Sequence, residues 1–393
     1  MQVTQTILRE EREQTCGVTE LKPVDSPRTS ILDGIVETRE GRCVVLSPAI
    51  GPVRRRILHV NSYGGRRVWD RVKNGRIPSH QLLGCLQLVR MGYEVALAEP
   101  LQHFYLYRNP LPHDLKLLKR TLSWLGKEGI LFSGHTLLYW LPILKSMGVV
   151  KSPVVSLVYA REQLDFARSH TGILALTPAA AEHAKKLAPQ AKVGHLGWGV
   201  DLDFFPIIPY SPEWFLSCGI TLRDHRTLSL AAARCKQSLR VIVPGTLDGI
   251  CWPPNVTLIN GGQGWNVENK RVSYDQLLRD HYARSAASLI ILRKDPIQYT
   301  AVGFTEIMEV LAMARPVIVT RTGALPTEID VEKAGCGIFV QPENPDALAE
   351  AIGFLGDNPN TAESMGRKAR KLAERYYNIE RYARDLHQFF ETL

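Results

Sequence analysis

The decisive stretch of this chain is GFTEIMEVLAMARPVIVT, residues Gly303 to Thr320, in its last third. Apolar side chains recur at helical spacing from Ile307 to Ala314 and form one face of a predicted helix. Pro316 ends that helix, and the β-branched run that follows predicts a buried strand. Glycine, helix, proline and strand in this order are typical of one unit of an α/β domain.

Two glutamates on this helix are the first candidates for a binding site. Glu306 and Glu309 are three residues apart, so their carboxylates lie on one helical face. An ionised carboxylate only accepts hydrogen bonds, and two adjacent sugar hydroxyls supply two donors. The start of the helix, next to Gly303, also attracts phosphate groups. This pattern suits the binding of a sugar or a ribose diol.

The length and the cysteines limit the class of protein. A chain of 393 residues is long for one hydrophobic core and suits two α/β domains. The seven cysteines are scattered and never form a CxxC pair, which argues against a disulfide framework and against a zinc site. No apolar run is long enough to cross a bilayer, and the N-terminus lacks a signal-peptide core. We therefore expect a cytoplasmic protein.

The positive charge is spread along the chain. The net charge is 48 − 39 = +9, with clusters only at residues 54–56 and 367–371. Nucleic-acid binding would need a localised basic face with aromatic or groove-inserting elements, and the sequence has none. We expect phosphorylated small molecules as partners and no nucleic acid, and a peripheral membrane contact stays open.

The first half of the chain predicts one doubly wound domain. Residues 1–52 lack periodicity and are expected to form an N-terminal extension, partly disordered. A strand at 56–61, a polar loop, a helix at 79–91 closed by Gly92 and a strand at 93–98 make a βαβ unit, which predicts a parallel sheet. We expect the first domain to span residues 53–205.

The second half repeats the alternation. The hinge Gly197–Pro206 breaks the pattern, and a second series of strands and helices predicts another domain over residues 206–376. The helix over 377–393 has no strand after it and is expected to cross back to the first domain. The predicted fold class is α/β, with two doubly wound Rossmann-like domains that face each other across a cleft.

Two motifs, in order, point to a family. The hinge GVDLDFFP, Gly199 to Pro206, is similar to the pattern GVD-x-x-x-F-x-P, with Pro206 one residue early. The stretch from Glu309 to Thr320 is similar to the signature EAMA-x-x-PVI-x-T. Over residues 55–393 the chain resembles the GT-B glycosyltransferases, and most closely the retaining enzymes of family 4.

The resemblance implies a nucleotide-sugar donor on the second domain and an acceptor on the first. It also implies transfer with retention of configuration, without a bound metal or other cofactor. Glu309 matches the second glutamate of the family's E-x7-E pair, which holds the ribose. The first glutamate would fall at residue 301, where this chain has Ala301. Glu306 lies more than one helical turn from that position and is not assigned the role. Gly303 is placed for its backbone to approach the sugar or the β-phosphate.

The remaining donor-site residues are chosen because the family's usual basic pair is missing. After the first strand of the second domain, Ile220 replaces the arginine and the lysine is absent. Arg223 is the best remaining phosphate clamp, since a guanidinium matches phosphate oxygens bidentately. Arg293 follows a neighbouring strand. The predicted donor-binding set is Glu309, Gly303, Phe304, Arg223, Thr300 and Arg293.

Candidate residues on the acceptor side follow strand ends of the first domain. His135 and His80 are predicted to be catalytic or to bind the acceptor or phosphate, and for His80 a surface or capping role stays open. Gly64 and Gly65 form the predicted glycine loop, with a plain turn as the alternative. Inside a strand, His195 is expected to be a core residue. Asp201 is expected to make local hydrogen bonds in the hinge.

Two functions from different classes remain open. The first is a retaining, metal-independent glycosyltransferase whose acceptor is a saccharide, a lipid or a small metabolite. The alternative is a catalytically inactive GT-B-like module that binds a nucleotide, a sugar or a protein. Glu309, Gly303 and the strand-end histidines favour the enzyme, whereas Ala301 favours the binding module. Sugar-nucleotide epimerisation has weaker motif support.

Overall fold

A computed structural model describes eleven segments of the chain. Three residues of the predicted site, Gly64, His135 and Thr300, lie outside them. The described residues are 33–40, 43–60, 65–98, 122–134, 141–159, 169–219, 221–243, 249–260, 277–294, 301–323 and 325–393.

The first domain is built on an eight-stranded sheet in the order β1-β2-β4-β3-β5-β6-β7-β8. Strand β2 pairs antiparallel with both β1 and β4, and the pairs from β4 through β3 to β8 are parallel. The strands are β1 (Ile35–Glu40), β2 (Cys43–Pro48), β3 (Arg55–Val60), β4 (Tyr93–Ala98), β5 (Ile130–Ser133), β6 (Val154–Val158), β7 (Gly172–Ala175) and β8 (Lys192–His195). The helices are α1 (Gly65–Lys73), α2 (Cys85–Arg90), α3 (Leu141–Ser146) and α4 (Pro178–Leu187).

Ordered structure begins earlier than the sequence predicted. Strands β1 and β2 lie within residues 1–52, which were expected to be an extension outside the domain. In β2, Val44 and Leu46 are both 0% exposed, and the strand pairs with β4 at one side of the parallel strands. Alternate residues of a strand face one side of a sheet, so a strand this short gives only a two-residue apolar signal. Periodicity over longer windows therefore missed it.

The segment between β3 and β4 also differs from the prediction. Helix α1 occupies the expected polar loop and buries Val68, Trp69 and Val72. The single helix predicted over residues 79–91 is broken into a 3₁₀ turn at Ser79–Leu82 and helix α2. The break is at Gly84, which has φ 78°. A β-carbon there would lie 3.2 Å from the ring of Tyr382, so glycine permits the close approach of another helix.

The second domain is a six-stranded, fully parallel sheet in the order β11-β10-β9-β12-β13-β14. The predicted α/β class with two sheet domains is confirmed. The strands are β9 (Trp214–Ser217), β10 (Leu239–Val243), β11 (Val256–Asn260), β12 (Ser285–Ile290), β13 (Val317–Thr320) and β14 (Gly337–Val340). The helices are α5 (His225–Ala232), α6 (Phe304–Ala312), α7 (Leu325–Glu328), α8 (Pro345–Asp357) and α9 (Pro359–Tyr376).

The decisive stretch folds as its pattern predicts. Gly303 precedes α6 with φ 86°, a conformation that favours glycine. After α6, Ala314 takes φ 55° and turns the chain toward β13. The buried Arg315 guanidinium donates a hydrogen bond of 2.7 Å to the carbonyl oxygen of Ala283. This bond fixes the turn between α6 and β13 against the segment that precedes β12.

The last helix, α10 (Ile379–Phe390), lies against the first sheet. A β-carbon at Gly172 would lie 2.7 Å from the ring of Phe389, and one at Gly194 would lie 3.1 Å from it. The absence of side chains at these two positions makes room for the ring. Just before α10, the chain pairs with the hinge, where the amide of Val200 donates to Tyr377 O at 2.7 Å. The end of the chain thus contacts both the hinge and the first domain.

Candidate functional site

The two domains meet where strands of the first sheet end and helix α6 begins. The backbone amide of Ala301, just before α6, donates a hydrogen bond of 3.1 Å to the carbonyl oxygen of Tyr159. Tyr159 directly follows β6, and its ring packs edge-on against Trp198 of the hinge with centroids 5.9 Å apart. Ligands of open α/β sheets bind outside the carboxyl ends of the strands. This edge is therefore the candidate site.

Glu309 faces His80 across the domain boundary. The residue is 4% exposed, and its Oε1 lies 3.4 Å from His80 Nε2. His80 is 1% exposed and stacks on Phe205, with ring centroids 6.0 Å apart. The predicted catalytic histidine is thus buried in the hinge region and contacts the predicted ribose ligand.

Asp201 organises the same point of the hinge. Its Oδ2 accepts a hydrogen bond of 2.7 Å from the amide of Ser79, and its Oδ1 accepts one of 3.2 Å from the amide of Phe204. Its own amide donates to His80 Nδ1 at 3.2 Å. The bond from Phe204 is the local hydrogen bond that was expected for Asp201. The contacts with Ser79 and His80, which tie the 3₁₀ turn to the hinge, are long-range and were not expected.

Glu306 belongs to a separate buried cluster beneath the start of α6. Its Oε1 accepts hydrogen bonds of 3.2 Å from Cys218 Sγ and from Ser288 Oγ, and its Oε2 pairs with Arg223. Burial raises the pKa of Glu306, although the nearby Arg223 guanidinium opposes this. Glu306 and Glu309 therefore act in different surroundings, and Glu306 has a packing role.

Arg223 is not oriented as the predicted phosphate clamp. Besides Glu306, its guanidinium donates to the carbonyl oxygens of Cys218 at 3.0 Å and of Thr221 at 2.9 Å. The residue is 6% exposed. With Nε and both terminal nitrogens engaged by the protein, Arg223 closes the loop after β9. The physical reason is the buried carboxylate of Glu306, which the sequence did not place beside it.

Two other basic residues, Arg293 and His225, lie near this loop. Arg293 is exposed, and its amide donates to Leu222 O at 2.8 Å, so its backbone lies next to the loop after β9. His225 is the first residue of α5, is 8% exposed, and has a buried Nδ1 without a hydrogen-bond partner among the described residues. Burial lowers the pKa of His225 to about 4, and the charges of Arg223 and Arg293 lower it further. Sequence reasoning missed His225, although its position directly after the helix cap Asp224 was visible.

Gly65 has a packing role in the structure. It is the first residue of α1, and a β-carbon there would lie 3.0 Å from both Ala98 O and Leu97 Cβ of β4. The glycine thus allows the start of α1 to approach the end of β4 closely. Its predicted partner Gly64 lies outside the described residues, as do His135 and Thr300.

His195 is not the core residue that was expected. Its side chain is 40% exposed, and Nε2 lies 2.6 Å from Glu328 Oε2 on α7. Position in a strand predicted burial, but β8 is the edge strand of the first sheet. His195 and His80 thus each pair with a glutamate of the second domain.

The described segments contain neither a cluster of metal-binding side chains nor a membrane-spanning helix. Within them, no cluster of three or more His, Cys, Asp or Glu side chains could hold a metal ion. None of the helices in those segments is both long and apolar enough to cross a membrane.

A family model matches part of the second domain. Residues 235–358 match the model described as Glycosyl transferases group 1. The match includes β10 to β14 and helix α6 with Glu309. No curated protein sequence matches the chain.

Solved structures share the fold over most of the chain. A sucrose-phosphate synthase from Thermosynechococcus elongatus is 15% identical with a TM-score of 0.60, covering 86% of this chain and 99% of that one. A glycosyltransferase from Rickettsia africae is 14% identical with a TM-score of 0.58, covering 86% and 98%. HepE from Anabaena, solved with UDP and glucose, is 12% identical with a TM-score of 0.57, covering 86% and 100%. The predicted resemblance to GT-B glycosyltransferases is confirmed at the level of the fold and of the group 1 family match.

Proposed function

We propose that the chain is a retaining, metal-independent glycosyltransferase of the family 4 type that moves a sugar from a nucleoside-diphosphate donor to an acceptor hydroxyl. The observation that carries the proposal is the position of Glu309. It lies inside the matched region, on the helix that begins at the domain boundary, and it faces the first domain. HepE, which shares the fold, was solved with UDP-glucose, and this supports a nucleotide sugar as donor.

In the proposed donor site, Glu309 accepts hydrogen bonds from the ribose hydroxyls. Gly303 and the first amides of α6 approach the diphosphate, because the first amides of a helix have no partner within it and its N-terminus carries partial positive charge. The amide of Phe304 makes a long hydrogen bond of 3.4 Å to Ala301 O, which a phosphate oxygen replaces in the proposed complex. Arg293 is exposed near the same strand ends and adds a cation, in place of the engaged Arg223. Thr300 completes the donor side.

The acceptor is a saccharide, a lipid or a small metabolite, bound by the first domain beside His135 and the glycine loop. Catalysis then needs little side-chain chemistry. The cation and the helix amides stabilise the charge that develops on the leaving diphosphate. The acceptor hydroxyl attacks on the face that the diphosphate leaves, and the departing phosphate takes its proton. Contact between the domains at Tyr159 and Ala301 keeps water from the donor. A chelator should leave the activity unchanged.

A second candidate function is a binding module without turnover. Two observations favour it. Ala301 stands where the family has a glutamate that contacts the transferred sugar, and its amide is already bonded to Tyr159. The guanidinium of Arg223 is committed to Glu306 and two carbonyl oxygens. Such a module would bind a nucleotide or a nucleotide sugar but would not consume it.

A thermal-shift panel of nucleoside diphosphates and their sugars tests the proposal. A ligand at about 100 times its Kd adds about 2.7 kcal/mol to the free energy of unfolding, which raises Tm by several degrees. Glu309→Ala should lose most of that shift. Glu350→Ala, an exposed glutamate on α8, is the matched control and should keep it. A panel without any shift contradicts both candidates, and a shift without turnover over a wide set of acceptors selects the binding module.

A further inference from the structure

The buried ring of His80 has a defined proton arrangement. The amide of Asp201 donates to Nδ1 at 3.2 Å, so that Nδ1 is an acceptor and the ring proton lies on Nε2. Nε2 has no hydrogen-bond partner in the described part of the chain. Glu309 Oε1 is 3.4 Å away, somewhat longer than an ordinary N–H···O bond. The ring therefore points a buried, unused donor at the carboxylate.

The ring itself cannot turn away easily. It stacks on Phe205 at an interplanar angle of 14° and meets the ring of Trp198 edge-on at 6.4 Å. Asp201 holds the preceding residue through its hydrogen bond to the amide of Ser79. Two parts of the molecule thus fix the direction of Nε2: the 3₁₀ turn, and the hinge with its two aromatic rings.

We propose that His80 is a positioning residue, which holds the carboxylate of Glu309 in the rotamer that accepts the ribose diol and links that carboxylate to the hinge. The inference rests on the proposed function. Hydrogen bonds in ligand-free sites are often long and shorten when the ligand binds. On donor binding, the Nε2–H of His80 closes onto Oε1, and the carboxylate then presents a fixed edge to the two hydroxyls. His80 acts through Glu309 and does not touch the reacting atoms.

Two substitutions of His80 distinguish the role of Nε2 from that of Nδ1. His80→Gln places an amide NH₂ near the position of Nε2 and keeps a donor toward Glu309. His80→Asn places an acceptor near Nδ1 for the Asp201 amide but leaves no group that reaches Glu309. Both variants remove the aromatic stacking equally. A purely structural role of the ring would therefore affect them alike.

The measurement is the ratio of Kd values for a 2′-deoxynucleoside diphosphate and its ribonucleoside diphosphate, determined by calorimetry. UDP and dUDP are the first pair, and the other bases follow. A hydrogen bond to a charged group predicts a ratio of about tenfold or more in the wild type. We expect His80→Asn to lower the ratio to about twofold and His80→Gln to keep most of it. Because the ratio compares two ligands on one sample, partial unfolding of a variant cancels.

The control is His195→Asn. His195 also pairs with a glutamate across the domain boundary, at 2.6 Å, but that pair is partly exposed and away from Glu309. Its ratio should equal that of the wild type. The inference is overturned if His80→Asn keeps the wild-type ratio while both ligands weaken equally, or if the ratio rises, since His80 would then compete with the ribose. A wild type that binds neither UDP nor any other nucleoside diphosphate overturns the proposed function together with this inference.

Discussion

His225 should make the folded protein lose stability in mild acid. Burial, with help from Arg223 and Arg293, lowers the pKa of its imidazole to about 4 from 6.5, while Asp224 partly opposes the shift. In the unfolded chain the imidazole of His225 therefore becomes protonated near pH 6.5, whereas in the folded chain it becomes protonated only near pH 4. The contribution of His225 to the free energy of unfolding is fully present above pH 6.5. It decreases as the pH falls from 6.5 to about 4.

The size of the effect follows from the difference between the two pKa values. One pKa unit corresponds to about 1.4 kcal/mol, so a shift from 6.5 to about 4 gives about 3 kcal/mol at most. The charges of the two arginines are partly screened by salt and water, which brings the expected loss nearer to about 2 kcal/mol. For a chain of this size, that is a measurable change in the urea midpoint.

The assay is urea unfolding of the wild type and of His225→Gln, at several values between about pH 7.5 and about pH 4.5. Glutamine cannot titrate, so the free energy of unfolding of the wild type should fall by about 2 kcal/mol more than that of the variant. Arg293→Gln, which removes one exposed cation, should reduce the difference by raising the pKa of His225. Parallel profiles for the wild type and His225→Gln would refute the reasoning.

Three further predictions concern packing and buried charge in the second domain. A β-carbon at Gly366 would lie 2.2 Å from Ala314 O, so Gly366→Ala should destabilise the fold by about 1–3 kcal/mol in urea unfolding. A β-carbon at Gly353 in α8 would meet no atom within 4 Å, so Gly353→Ala should stabilise the fold by about 0.5–1 kcal/mol. A Gly353→Ala variant less stable than Gly366→Ala would contradict this account of the packing. Glu306→Ala leaves the charge of the buried Arg223 without its partner and should lower the free energy of unfolding by about 3–5 kcal/mol. Removing both charges should lower it by less, and a double-mutant cycle measures the difference.

The fold could be predicted because its signals are local and repeated. Gly303, the apolar residues after it and Pro316 predict a helix followed by a strand, and the structure has α6 and β13 there. The helix is buried on nearly all sides and not on one face alone. The hairpin of β1 and β2 was missed because its apolar run, Cys43 to Leu46, is only four residues long, and the strand gains its burial by pairing with β4. A tertiary contact supplied what the local pattern lacked.

The site was harder to predict because its residues meet across large separations in sequence. The pair of His80 and Glu309 joins positions in different domains, and the bond of Ala301 to Tyr159 does so again. Arg223 was predicted as a phosphate clamp from its residue type alone, whereas in the structure its guanidinium pairs with the buried Glu306. Residue type indicates what a side chain can bind. Burial and neighbours determine what it does bind.

The most direct test of the central claim is to locate the nucleotide on the chain by hydrogen exchange. The first amides of α6, from Gly303 to Glu306, lack ordinary partners inside the helix, so a bound diphosphate should protect them. With UDP or another nucleoside diphosphate that binds, we expect exchange there to slow by about tenfold or more, and Glu309→Ala to abolish the effect. Binding with unchanged exchange at α6, or protection confined to the first sheet, would contradict a donor site on the second domain.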